Sequence, residues 1–325
     1  RFMGPRVCSS NARDRWQNLE ATLIVDMPST TSSKIGKRLN KLRETGGVVA
    51  LGRVLSLIIE TDAAGVEKAI AAANGASRLH PSRIIVLTSV QGGGDSRLDA
   101  EIRVGGDAGA SEVVILKAHG AASSNPESLV TGLLLPDAPV VAWWPSSCGP
   151  NPARTAIGRI ATRRITDSAC QDNPSEFLKE LANNYSPGDG DMAWTRITLW
   201  RSQLAALFEQ HKQREVTSIE VLGSANSPSA ELLANWLALR LGVSATITNE
   251  IEGATIQGIA GVRIGFADGE LEIVRSDEIA AIRQTGLPDS SVLLPKRSDQ
   301  DCLIEDMRFL GEDEIYGEVL KGANR

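Results

Sequence analysis

Reactive groups are scarce in this sequence. Its 325 residues hold three histidines and four cysteines. No C-x-x-C pair or other metal-ligand spacing joins them, so neither a zinc site nor a disulfide framework is signalled. Cys8, Cys148, Cys170 and Cys302 lie far apart and read as reduced thiols. G-x-G-x-x-G, the Gly-Lys-Ser/Thr end of a Walker loop and the G-x-S-x-G elbow are all missing. The glycine clusters QGGGD (91–95) and GGDAGAS (105–111) therefore read as a loop and a hairpin connection, not as phosphate cradles. No apolar run approaches the roughly 20 residues that span a bilayer, and no secretory core follows the basic start. The expectation is a cytoplasmic protein without a membrane segment. A formal net charge of -6, from 34 basic and 40 acidic residues, leaves no footprint for nucleic acid or an anionic membrane.

What the chain does have is ordinary globular composition, 42% hydrophobic and 23% charged, over a length that suits two domains. VLSLIIE (54–60) reads as a buried strand, Asp62 as the cap of an alanine-rich helix to about Ala76, and Ile84 to Val90 as the next strand. Such a unit places parallel strands side by side with a right-handed crossover. Further on come a strand at Val216 to Leu222, a helix from Pro228 to Leu241 between Ser227 and Gly242, and a strand at Ser244 to Thr248. A hairpin across Ala267, Asp268 and Gly269 follows. The fold class expected is α/β: two α/β domains with mixed, largely parallel sheets flanked by helices. The division expected is a disordered extension over 1–22, an N-terminal domain over 23–175, a helical linker segment over 176–212 and a C-terminal domain over 213–325. Near the end, Ser298 or Asp299 caps a helix with Cys302 on its apolar face, and the acidic GEDEIYGE (311–318) reads as solvated.

Three stretches carry candidate contacts. In LLLPDAPVVAWWP (133–145), Val140 to Ala142 form a short buried strand that ends in Trp143 and Trp144. Strand alternation sends tandem tryptophans to opposite faces, so one enters the core while the other meets a rim or a partner; alternatively both pack under the SSCGPNP loop. SRLHPSR (77–83) groups Arg78, His80 and Arg83 around a proline, as an anion contact or as local turn pairs. In PGDGDMAWTRITLWRSQLAALFEQ (187–210), a helix capped by Asp189 or Asp191 carries Trp194, Arg196, Trp200 and Arg201. Tryptophan and arginine on one element suit a binding hot spot or an inter-domain seam. Cys148 reads as an incidental loop thiol and His119 as structural.

With VALGRVLSLII (49–59), IGRIATRRITDS (157–168) and SDQDCLIEDMR (298–308) added, these stretches resemble, in order from about Ile24 to Leu320, the OpcA family of glucose-6-phosphate dehydrogenase assembly proteins. The resemblance implies a protein that is not an enzyme, with no catalytic residues and no cofactor. Its implied partner is glucose-6-phosphate dehydrogenase, whose active oligomer it favours, supporting the oxidative pentose phosphate pathway and NADPH supply. No family cysteine pair maps onto Cys148, Cys170 or Cys302. The alternative is a sugar-phosphate or nucleotide-binding sensor or enzyme on an α/β fold, since such folds place ligands at strand ends.

Overall fold

Short apolar runs alternate with capped helices from Leu55 onward, and that alternation builds the first sheet. The computed structural model describes residues 23–45, 54–90, 95–105, 112–211, 213–251 and 254–322. The extension expected over 1–22, most of QGGGD and all but Gly105 of GGDAGAS lie outside them. The elements of the first half are β1 (Leu23–Met27), α1 (Ser32–Thr45), β2 (Leu55–Glu60), α2 (Val66–Ser77), β3 (Ser82–Val90), β4 (Arg97–Val104), β5 (Glu112–His119), α3 (Pro126–Thr131), β6 (Val140–Trp143), α4 (Ala156–Ile160), β7 (Arg163–Thr166), α5 (Pro174–Asn184) and β8 (Asp189–Asp191). The sheet runs β1-β4-β5-β3-β2-β6-β7-β8. Every pair from β5 through β8 is parallel, while β4 pairs antiparallel with β1 and β5 at one edge. The chain winds outward from β2 in one direction through β3 and β5, and in the other through β6, β7 and β8. This is the strand order of doubly wound dinucleotide-binding sheets, with its reversal between β2 and β6.

Both faces of this sheet are dry, as near-continuous apolar strands require. Leu57, Ile59, Ile84, Val141 and Trp143 face a cluster that includes Ile70 and Ala73 of α2. Ile58, Ile85, Val114, Ala142 and Trp144 face the other way, toward Ile35 and Leu39 of α1 and Ile157 of α4.

The second half comprises α6 (Met192–Arg196), α7 (Thr198–Glu209), β9 (Val216–Gly223), α8 (Pro228–Leu241), β10 (Ala245–Thr248), the short pair β11 (Glu250–Ile251) and β12 (Ala254–Thr255), β13 (Ile259–Phe266), β14 (Gly269–Ser276), β15 (Ile279–Gln284), β16 (Ser290–Leu293), α9 (Asp299–Arg308) and α10 (Glu314–Gly322). The α/β class holds here too, but the second sheet is not largely parallel. Its order is β10-β9-β13-β14-β15-β16, and only β10 and β9, joined through α8, run parallel. The tight turns after β13 and β14 force their neighbours to be antiparallel. Ser227 caps α8 by accepting from the Ala230 amide, and Gly242 closes it at φ 72°, a left-handed conformation that suits glycine.

Two local readings change. The helix expected through Trp194 and Trp200 breaks at Ile197, whose backbone (φ -93°, ψ 5°) leaves the helical region, so the two rings sit on separate helices. The acidic stretch 311–318 is not simply solvated: it enters α10, with Tyr316, Val319 and Leu320 buried. Full burial of such side chains is worth about 1.5–3 kcal/mol each, which outweighs the charged outer face. The segment 174–209 supplies Phe177, Leu181, Trp194, Trp200 and Leu204 to the core around the second sheet. Helix α9 instead returns to the first sheet, where Cys302, Leu303 and Met307 pack on α2.

Candidate functional site at the switch point

Of the nine residues singled out as contacts, most are engaged inside the chain. Trp143 and Trp144 do point to opposite faces, and both are buried. Trp144 donates from Nε1 to Glu60 at 2.8 Å. Trp194 donates to Asp313 at 2.8 Å, and the Arg201 guanidinium lies 3.6 Å from its ring centroid. Trp200 is 2% exposed. Arg196 holds Asp167 through both terminal nitrogens, at 2.7 and 2.6 Å, and reaches Asp299 at 3.0 Å. The proline-braced cluster is divided among different partners. Arg83 is buried against Glu112 and the Leu133 carbonyl, His80 donates to the Ile304 carbonyl at 2.9 Å, and Arg78 is exposed. His119 meets Asp99 at 3.0 Å across the β4–β5 pair.

The feature that the doubly wound order places at its reversal is a cavity of about 560 Å³ outside the carboxyl ends of β2, β3, β5 and β6. Its walls include Glu60, Asp62, Trp144 and Cys148, together with hydroxyls from Thr61, Ser146 and Thr155. Thr61 and Ser146 bridge the ends of β2 and β6 through their hydroxyls, 3.3 Å apart. In a dinucleotide-binding sheet the turn here carries glycines at the first, third and sixth places, so that the backbone can approach a pyrophosphate at the helix N-terminus. Here those places fall on Glu60, Asp62 and Gly65. Gly65 keeps the packing role, since a Cβ would come within 2.5 Å of the Thr61 hydroxyl. The other two positions are acids. Asp62 accepts from the Gly65 amide at 2.7 Å, so a carboxylate already occupies the entry of α2. A pyrophosphate would meet two carboxylates where it needs open backbone amides, and the cradle does not fit a dinucleotide. The sequence reading missed this arrangement because it searched for the glycines; the acid-for-glycine spacing after β2 was the available signal.

Beside the cavity, burial pushes the Cys148 thiol up to about 12, with Asp191 and Asp167 adding to the effect. Burial and then Asp167 push Cys170 up to about 11. Neither is a ready thiolate. Iodoacetamide at about pH 8 is expected to label both more slowly than free cysteine, whose pKa is about 8.5, with rates still climbing at pH 9 to about 10. Mass spectrometry of each cysteine peptide checks this; a plateau near neutral pH would identify an activated thiol instead.

Fold and site together define a class: a doubly wound α/β sheet without a glycine phosphate cradle at its switch point, joined to a second, mixed sheet. Two family models match in tandem, described as the glucose-6-phosphate dehydrogenase subunit N-terminal domain over residues 73–183 and C-terminal domain over 187–320. The chain belongs to this family, the OpcA glucose-6-phosphate dehydrogenase assembly family. It is 26% identical over 140 residues to the "Putative OxPP cycle protein OpcA" of Synechocystis sp., a match that takes in 40% of this chain and 29% of that relative's length. Among solved structures, an oxidoreductase from Sinorhizobium meliloti is 10% identical, with a TM-score of 0.48 over 83% of this chain and 94% of its own. UDP-N-acetylglucosamine 3-dehydrogenase from Acidithiobacillus ferrooxidans is 11% identical, with a TM-score of 0.37 over 83% and 96%. Scores at this level bear on neither the fold nor the chemistry. Among the described residues, no helix is long and apolar enough to cross a membrane.

Proposed function

We propose that this chain is a non-catalytic partner of glucose-6-phosphate dehydrogenase that binds the enzyme and favours its active, assembled form. The observation that carries the reading is the turn after β2. Glu60 and Asp62 stand where a dinucleotide-using enzyme keeps glycines, and membership in a dehydrogenase-subunit family supports a binding role for such a scaffold. The mechanism is linkage. A protein that binds one oligomeric state of the dehydrogenase more tightly than another moves the equilibrium toward it, by no more than its differential affinity. Among the residues selected from sequence, Arg78 is exposed and is proposed to meet the partner directly. Trp143, Trp144, Trp194 and Trp200 are proposed to act by holding the frame that presents the binding surface, together with the internally paired Arg83, Arg196 and Arg201 and with His80. The reading places the protein in the cytoplasm beside its enzyme. Light scattering of the dehydrogenase with and without an equimolar amount of this chain tests it. Co-elution at a mass above the dehydrogenase alone is expected, and separate elution of the two proteins at micromolar concentration would overturn it.

A further inference from the structure

A second cavity, of about 380 Å³, lies at the seam between the two sheets. Four parts of the chain close it: Ala169 in the turn after β7, the α6–α7 junction, the second sheet with the start of α8, and the stretch leading into α9. Its described lining holds four cations, Arg196, Arg275, Lys296 and Arg297, and no carboxylate. For a chain whose net charge is -6, that is a local inversion of sign. Two of the cations are balanced from outside the cavity: Arg196 by Asp167 and Asp299, and Arg297 by Glu305.

Arg275 and Lys296 have no carboxylate partner among the described residues. Arg275 makes one hydrogen bond, from Nη2 to the Ile259 carbonyl at 2.7 Å, and its guanidinium stands 5.3 Å from the Trp200 ring centroid. Among the described residues its remaining N–H groups have no partner, in a partly buried setting where burial alone pulls its pKa down. A partly buried guanidinium with free N–H groups and no carboxylate beside it is open to an anion. Ser227, the N-cap of the 14-residue helix α8, and Ser229 in its first turn line the same wall and bring the positive end of the helix to it; the Ser227 hydroxyl accepts from the Ala230 amide and the Ser229 hydroxyl donates to the Ala193 carbonyl. Trp200, Ile197 and Ile259 supply an apolar floor.

We propose that this cavity is a binding site for a phosphate monoester on a small soluble molecule. Arg275 provides the planar fork and Lys296 the point charge, and bound phosphate joins the second sheet to the segment that carries α9 back to the first. Arginine forks match phosphate geometry, and the volume is at the small end of ligand pockets. The proposal concerns the chain by itself and does not rest on the dehydrogenase reading.

The test is calorimetric titration of the full chain with inorganic phosphate, glucose 6-phosphate and glucose, alongside thermal melts. Both phosphates are expected to bind saturably and raise the melting temperature, with glucose inert. Lys296→Gln, at an exposed position, and Arg275→Gln are each expected to weaken phosphate binding by about ten-fold, the cost of one charge-assisted contact. Arg240→Gln, on the outer face of α8, is expected to bind as wild type. No saturable binding by the wild-type chain, equal binding of glucose and glucose 6-phosphate, or unchanged affinity in Lys296→Gln would each overturn the assignment. Arg275→Lys, which keeps the charge, is expected to fold and to bind more tightly than Arg275→Gln.

Discussion

Asp306→Ala is expected to cost about 3–5 kcal/mol of folding stability, the largest single effect the structure supports. Asp306 sits on α9 with its side chain 3% exposed and accepts from Arg163 of β7 at 2.6 Å. Its other oxygen accepts from Thr195 of α6 at 2.7 Å. Three elements, one from the first sheet and two from the returning half of the chain, therefore meet on one carboxylate. Removing it leaves the Arg163 guanidinium buried with a single long bond to the Gly311 carbonyl, at 3.4 Å, while its Nε already lacks a partner. Little room exists for relaxation: a Cβ on Gly190 would come within 2.4 Å of that guanidinium. Urea denaturation checks this, with a lower midpoint at unchanged slope. Because the penalty is that of an orphaned charge, Arg163→Met combined with Asp306→Leu is expected to recover most of the loss. A cost under about 1 kcal/mol for Asp306→Ala would mean that the charge finds water and the helix is not fixed there.

The second large effect centres on Asp191, at the end of β8. It accepts four hydrogen bonds: from the Thr166 hydroxyl, from the Ser168 amide and hydroxyl, and from the Ala193 amide that opens α6. Asp191→Ala strands two amides and the Ser168 hydroxyl in a fully buried place, while the Thr166 hydroxyl keeps the Gly190 carbonyl as acceptor at 3.2 Å, and a loss of about 3 kcal/mol or more is expected. Burial, with Asp167 nearby, pushes this carboxyl up from 3.8 to about 6. The folded value lies above the unfolded one, so the stability from this shift is present below pH 3.8 and is lost as pH rises through about 6. The stability of wild type relative to Asp191→Asn is therefore expected to fall across that window. A difference that rises there would mean that the four donors outweigh burial.

Much of the frame was legible in the residues. The β2-α2-β3 unit, the capped α8 with Gly242 after it, the hairpin at Asp268 and a helix capped at Ser298 all rest on local signals; the cap expected at Asp62 is not one, since α2 starts at Val66 behind Gly65 with no side-chain cap and Asp62 instead closes the turn before it. Long-range closure was less legible. Strand alternation placed Trp143 and Trp144 on opposite faces, but their common burial depends on α2 and α9 covering one face and α1 and α4 the other. The acidic count of 311–318 concealed an amphipathic turn, since Tyr316, Val319 and Leu320 share one face only once the helix exists. At the candidate site, a search for glycines passes over the same spacing when acids fill it. Arg275 and Lys296, the unbalanced cations of the second cavity, are 21 residues apart in sequence and come together only because the last stretch of chain folds back along the second sheet.

The most direct measurement is the rate of the cognate glucose-6-phosphate dehydrogenase against substrate concentration, with and without this chain, while the mass of the mixture is followed by light scattering. The account predicts a complex together with either a lower substrate half-saturation or a higher maximal rate, and no dehydrogenase activity from the chain alone. Identical rate curves with no complex would contradict it.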